Sequence, residues 1–206
     1  WKGPIRRYRK LGLERRLFLR SNGRLFRDKL RLWNVPQRYA LAVETTPPPR
    51  AELLPHIWLS DEEVRQGQRL LEQLPDRADI PPIALHPYGT HPDKAWNEAY
   101  WHQLMEMLEA RGIPWLVIGR GNGIEGVPAS RDFTNRTSLR ETCALLRASS
   151  LLITGDSGPM HLAGAVGTPV LALFGPTTEE WGFFPAGPKD RVLEAKLDCR
   201  PCTLHG

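Results

Sequence analysis

From residue 80 onward the chain alternates short unbroken apolar runs with longer stretches whose apolar residues recur every three or four positions. Residues 80–89 (IPPIALHPYG), 114–123 (PWLVIGRGNG), 151–156 (LLITGD) and 169–175 (PVLALFG) have strand length and carry turn residues at their ends. Between them lie helical patterns. Residues 97–112 set Tyr100, Leu104, Met107 and Leu108 at helical spacing and stop at Gly112. Residues 138–150 place Leu139, Cys143 and Leu146 on one side, and residues 159–166 form a short third helix. Strands that are apolar along their whole length, each followed by a helix, predict a parallel sheet covered on both faces. In such sheets ligands bind at the carboxyl ends of the strands, where the glycine-rich and polar loops of this chain fall.

The front of the chain is different. Residues 1–50 carry 14 Lys and Arg against 3 Asp and Glu, whereas the remaining 156 residues carry 14 against 20, so the net charge of +5 averages two unlike parts. The proline-rich run 44–56 (ETTPPPRAELLPH) lies where the balance changes sign and predicts a linker. Behind it, Ser60 with Glu63 three positions later forms a capping-box signature at the start of a helix. The predicted organisation is an amino-terminal segment 1–46, a linker 47–58 and an α/β domain 59–206. The basic front suits anionic lipid headgroups, phosphorylated glycans or nucleic acid, or is the solvated face of a helix packed on another domain. No zinc-finger spacing or RNP-type aromatic pattern points to nucleic acid.

Composition narrows the class further. At 41% hydrophobic and 25% charged residues, 206 residues suffice for a sizeable core. No apolar run reaches membrane-spanning length, and no signal-peptide pattern opens the sequence. A first residue Trp1 and an ending CTLHG give the expectation of a segment from a longer protein. Three cysteines cannot build a disulfide framework; Cys143 falls within a helical pattern, and Cys199 and Cys202 form a C-x-x-C pair with His205 nearby but no fourth ligand, so free thiols are expected and no metal.

Candidate chemistry concentrates in three loops. The strand at 151–154 delivers Gly155, Asp156, Ser157 and Gly158 at its carboxyl end. Asp156 or Ser157 can cap the following helix, Pro159 suits its first position, and Gly158 leaves room for close approach of a ligand. The free N–H groups of that first turn make an anion seat, to which His161 could donate as well. Gly167 and Pro169 end the helix. In the second loop, Gly89 and Thr90 offer donors, and Lys94 supplies a cation able to neutralise charge growing on a diphosphate leaving group. The third loop holds Gly119 and Gly121 without the last glycine of G-x-G-x-x-G; it reads either as a ligand-lining turn, with Glu125 as an acceptor for ribose hydroxyls, or as a flexible glycine loop.

The segments KAW (94–96), NRTSLRETCALL (135–146), GDSGPMHLAGAVGTPVLALFGPT (155–177) and CRPC (199–202) together resemble glycosyltransferase family 9, the heptosyltransferases of lipopolysaccharide core synthesis. The resemblance spans roughly residues 80–202. It implies a GT-B type fold: a Rossmann-like, doubly wound donor domain, with residues 1–46 as the remnant of an acceptor-binding domain. It also implies that Asp156, Ser157, Gly158 and His161 hold the diphosphate and sugar of an ADP-heptose-like donor. Lys94, Gly89 and Thr90 would bind phosphates, Glu125 the ribose and Thr137 the adenine pocket. The implied chemistry is metal-independent inversion without a cofactor, onto a lipopolysaccharide core or other glycan acceptor. The implied location is cytoplasmic, at the inner face of the inner membrane. The family's presumed base, an aspartate near the start of the amino-terminal domain, is expected outside this chain, so donor binding is expected here without turnover.

Three rivals remain on the sequence. A serine hydrolase would use Gly155-Asp156-Ser157 as a nucleophile motif, but no Asp has a His three residues later to complete a D-x-x-H element. An epimerase-like GT-B enzyme explains the fold but not the D-S-G-P-M-H-L-A block. A non-catalytic nucleotide-sugar-binding module would use the same donor residues without transfer.

Overall fold

The computed structural model describes residues 5–75, 80–89, 91, 94–197 and 200–202. Five parallel strands, β1 (Ile83–His86), β2 (Trp115–Val117), β3 (Leu151–Gly155), β4 (Val170–Phe174) and β5 (Arg191–Glu194), form one sheet in the order β2-β1-β3-β4-β5. Side chains alternate across it. Ala84, Leu116 and Leu152 join one core with Leu145, Leu146, Met160 and Ala163, while Leu85, Val117 and Ile153 join a second with Trp101, Met105 and Leu108. The first core lies under helices α4 (Asp61–Leu71), α6 (Leu139–Arg147) and α7 (Gly158–Val166), the second under α5 (Glu98–Glu109). The chain thus leaves β1 on one face and β3 on the other. These adjacent strands are the topological switch point, where the diverging loops open a crevice.

Three helix ends fall where the sequence signals lie, but two helices turn different faces inward than expected. Ser60 caps α4 with Glu63 in a full capping box, Ser138 does the same for α6 with Glu141, and Gly167 ends α7 in the left-handed region. On α5, Leu108 is buried as expected, but Tyr100 and Met107 are exposed, and Trp101 and Met105 are buried in their place. The larger indole of Trp101 outcompetes the amphipathic Tyr100 for the core, which rotates the buried stripe by one residue. Leu139 of α6 is likewise exposed, because it occupies the first helical position, ahead of the turn that meets the sheet. Helices α4 and α6 approach so closely that a Cβ on Gly67 would lie 2.7 Å from the Ala144 carbonyl oxygen. Strand β5 has no apolar run to announce it; it is an edge strand, and its charged ends suit one.

The basic front folds into three short helices, α1 (Gly12–Arg20), α2 (Arg27–Arg31) and α3 (Val35–Ala40). They bury Phe18 and Leu30 against Trp181, which lies in the 3-10 turn Glu179–Trp181 after β4. Each of these side chains contributes about 1.5–3 kcal/mol by leaving water. The dock is fixed by a hydrogen bond from Val35 N–H to the Gly182 carbonyl at 3.0 Å and an ion pair from Arg31 to the buried Glu180 at 2.9 Å. The proline-rich stretch runs along the domain surface through a 3-10 turn, Arg50–Leu53, and Ile57 N–H reaches the Ala165 carbonyl of α7 at 2.9 Å.

Candidate functional site

The ends of β1 and β3 bring together loops far apart in sequence. Lys94 Nζ donates to Asp156 Oδ2 at 2.8 Å, and the two side chains are 15% and 13% exposed. Thr177, in the loop after β4, donates its hydroxyl to the same oxygen at 3.0 Å. Gly155 keeps the backbones close: a Cβ there would meet the Lys94 carbonyl oxygen at 3.2 Å. A lysine, a carboxylate and a hydroxyl therefore surround one point beside the start of α7.

Ser157 is the N-cap residue of α7, but its side chain makes no capping bond. Its hydroxyl turns back to Thr154 Oγ1 at 2.9 Å and His86 Nδ1 at 3.3 Å. The first-turn amides are therefore not satisfied by their cap residue and remain available to an external acceptor. Asp156 does not cap either; it serves Lys94 and Thr177. Pro159 is the second helical residue rather than the first, since the helix begins at Gly158. A Cβ on Gly158 would meet nothing within 4 Å, so open space lies above this turn.

Two groups at the centre were not singled out from the sequence. His86, at the end of β1, is buried and bonds Thr154 Oγ1 through Nδ1 at 3.0 Å. Burial lowers its pKa to about 4, so it is neutral at physiological pH. The signal was a histidine at the carboxyl end of an apolar run. Thr177 lay within a quoted motif, and it is the pairing of β4 with β3 that carries its loop to Asp156.

Other expected residues distribute unevenly. His161 sits on the first turn of α7 with its ring edge-on to Phe183, 6.4 Å between centroids. Desolvation lowers its pKa and the nearby Asp156 raises it in part. Gly89 folds back on its own loop, where a Cβ would lie 3.1 Å from the His91 carbonyl oxygen, and Thr90 is outside the described residues. Glu125 is exposed, with its backbone N–H reaching Glu98 Oε1 at 3.4 Å. The Thr137 hydroxyl is taken up by Thr142 at 2.9 Å, at the start of α6. The glycines of the third loop have a packing reason: a Cβ on Gly119 would lie 2.6 Å from the His86 ring, and one on Gly121 2.5 Å from the Tyr88 ring. Cys202 is exposed, Cys199 and His205 are outside the described residues, and no three potential metal ligands cluster among those described.

The contact between Ser157 and His86 reopens the hydrolase reading and then closes it on geometry. The imidazole faces Ser157 and Thr154 with the same nitrogen, and no carboxylate bonds its other nitrogen among the described residues. With a pKa near 4 it is a poor base at neutral pH. The arrangement lacks the orienting acid of a triad.

The family profile described as "Glycosyltransferase family 9 (heptosyltransferase)" matches residues 14–205. The chain belongs to this family. The match starts well ahead of the motif-bearing region and takes in the basic helices, which carry no comparable motif. Among curated relatives, lipooligosaccharide heptosyltransferase 2 of Haemophilus influenzae is 31% identical over 164 residues, covering 70% of this chain and 47% of that protein. Lipopolysaccharide heptosyltransferase 1 of Pseudomonas aeruginosa is 33% identical over 145 residues, covering 64% of this chain and 39% of that protein. The chain thus spans half or less of the length of these relatives. Among solved structures, a family 9 glycosyl transferase from Veillonella parvula superposes with a TM-score of 0.61 at 24% identity, over 68% of this chain and 42% of that one. E. coli ADP-heptose lps heptosyltransferase II gives 0.59 at 24% identity, over 71% and 47%. These likenesses carry the α/β Rossmann-like fold of GT-B heptosyltransferases.

Proposed function

We propose that this chain forms the donor half of a glycosyltransferase that moves a heptose-like sugar from an ADP-sugar to a lipopolysaccharide core or other glycan acceptor, with inversion. The observation that carries the proposal is the Lys94–Asp156–Thr177 cluster beside the uncapped first turn of α7, at the switch point between β1 and β3. A diphosphate laid on this turn meets amide N–H groups and the positive end of the helix, with Lys94 able to swing from Asp156 to a phosphate oxygen. Ser157 and His161 line the same turn and Gly89 the facing loop, with Glu125 and Thr137 toward the nucleoside. Residues 1–46 belong to an acceptor-binding domain joined through 47–58 to the donor domain 59–206.

In the reaction, an acceptor hydroxyl oxygen attacks the anomeric carbon from the face opposite the diphosphate. The carbon–oxygen bond to the diphosphate breaks and ADP leaves. Charge growing on the departing phosphate is met by Lys94 and the α7 amides. The hydroxyl proton passes to a base outside this cluster, since Asp156 is engaged by Lys94 and Thr177 and His86 is buried. The exposed arginines of the front segment would hold the protein at the anionic cytoplasmic face of the inner membrane; no helix among the described residues is long and apolar enough to cross it.

Calorimetric titration with ADP, UDP and GDP tests the proposal. Preference for ADP is expected. Preference for UDP would favour an epimerase-like enzyme instead, and heat from none of the three would remove the donor site.

A further inference from the structure

A pocket lies apart from the donor cluster, in the basic front of the chain. It measures about 210 Å³ and is lined by Tyr8, Lys10, Arg15, Arg38, Tyr39 and Phe183, with Val35 beneath. Its volume is several times the ~30 Å³ share of one water molecule. Arg38, on α3, is 4% exposed. One of its nitrogens is used: Nη2 donates to the Leu30 carbonyl at 2.5 Å and more weakly to the Glu180 carbonyl at 3.4 Å. Among the described residues its Nε and Nη1 are buried without a partner, and so is Nε of Arg15, whose Nη2 donates to the Trp181 carbonyl at 3.1 Å.

The charges here are all of one sign. Arg15 acts on Arg38 as a like charge, and the pKa of Arg38 falls to about 10, chiefly through burial. Two neighbouring carboxylates are committed elsewhere: Glu14, next to Arg15, pairs with Lys29, and Glu180, whose carbonyl Arg38 reaches, turns its side chain to Arg31. Leaving a buried charged donor unmet costs free energy, and among the described residues three guanidinium nitrogens are left unmet on two arginines that line one pocket. Guanidinium donors in a planar fork are matched by the oxygens of phosphate or carboxylate.

We infer that Arg15, Arg38 and Lys10 form an oxyanion-binding pocket that takes a phosphate or carboxylate group, separate from the Lys94–Asp156 cluster. Phe183 stands between the two sites, lining the pocket and meeting the His161 ring edge-on. The inference does not depend on the donor reading, because none of its residues belongs to that cluster.

The test reads the arginines directly. The Nε–H resonances of Arg15 and Arg38 are assigned with Arg15→Gln and Arg38→Lys, then followed while inorganic phosphate, acetate or chloride is added to the whole chain at matched ionic strength. At least one oxyanion should shift both resonances and saturate at a concentration roughly tenfold below any effect of chloride. Phosphate alone assigns a phosphoryl group, acetate alone a carboxylate, and both assign oxyanions generally. Lys10→Ala, at an exposed position that leaves the fold intact, should weaken the effect about fivefold or more, and ADP binding should be unchanged. Silent resonances with both oxyanions, or an equal response to chloride, would overturn the pocket.

Discussion

Replacing Lys94 by Ala tests the centre of the candidate site on two independent scales. The substitution removes the 2.8 Å bond to Asp156 and leaves that carboxylate, 13% exposed, with Thr177 as its remaining partner. Breaking a fully buried ion pair costs about 3–5 kcal/mol; with both side chains reaching some solvent, a loss of about 1–3 kcal/mol is expected. Urea denaturation would show this as a midpoint lowered by about 1 M, for an m-value of about 1–3 kcal/mol/M. ADP affinity should fall roughly tenfold or more, about 1.4 kcal/mol, because an attractive charge is lost and an unpaired carboxylate is left facing the diphosphate. The informative variant is the double one. Asp156→Asn in the Lys94→Ala background should recover part of both losses, because it removes the stranded charge. If the two substitutions add within ~0.5 kcal/mol in stability, and Lys94→Ala leaves ADP affinity untouched, the pair has neither the energetic nor the functional role assigned to it.

Three further outcomes follow from the same structure. With the pKa of His86 near 4 instead of the usual 6.5, the unfolded chain binds its proton first, so His86 contributes stability in full above about pH 6.5 and loses it as pH falls toward 4, a total of about 3 kcal/mol; an NMR titration placing His86 near 6.5 would refute the burial argument. Gly119→Ala puts a Cβ 2.6 Å from the His86 ring at a φ of 130°, and should cost about 2–4 kcal/mol in urea unfolding; a loss below about 1 kcal/mol would mean the third loop is free to move. The front segment exposes Arg6, Arg7, Arg9, Arg16, Arg20 and Arg24, and should sediment with anionic vesicles at low salt and release as salt rises; binding that ignores salt would point to apolar contact instead.

The sequence by itself determined the class of fold, because apolar runs of strand length separated by helical periodicities have few packed solutions, and a parallel sheet covered on both faces is the one that buries them all. It also determined the helix ends, since Ser60, Ser138 and Gly167 act through backbone geometry within a few residues. Lys94 and Asp156 were legible as chemistry-bearing residues because glycines and prolines marked their loops. That they touch, with Thr177 as a third partner, was not legible: contacts across 62 and 21 residues depend on which strands lie side by side. The same holds for the pairing of Ser157 with His86, which turned an apparent cap or nucleophile into part of a buried hydrogen-bonded group. Faces of helices shifted as well, because Trp101 and Tyr100 are neighbours whose competition for the core is settled only by packing. The basic front shows the limit most plainly. Charge counting marked it as cationic, but only the fold onto Trp181 decided which arginines face water and which two keep buried nitrogens without partners among the described residues. Local signals fix what each segment forms; neighbours distant in sequence fix what each side chain meets.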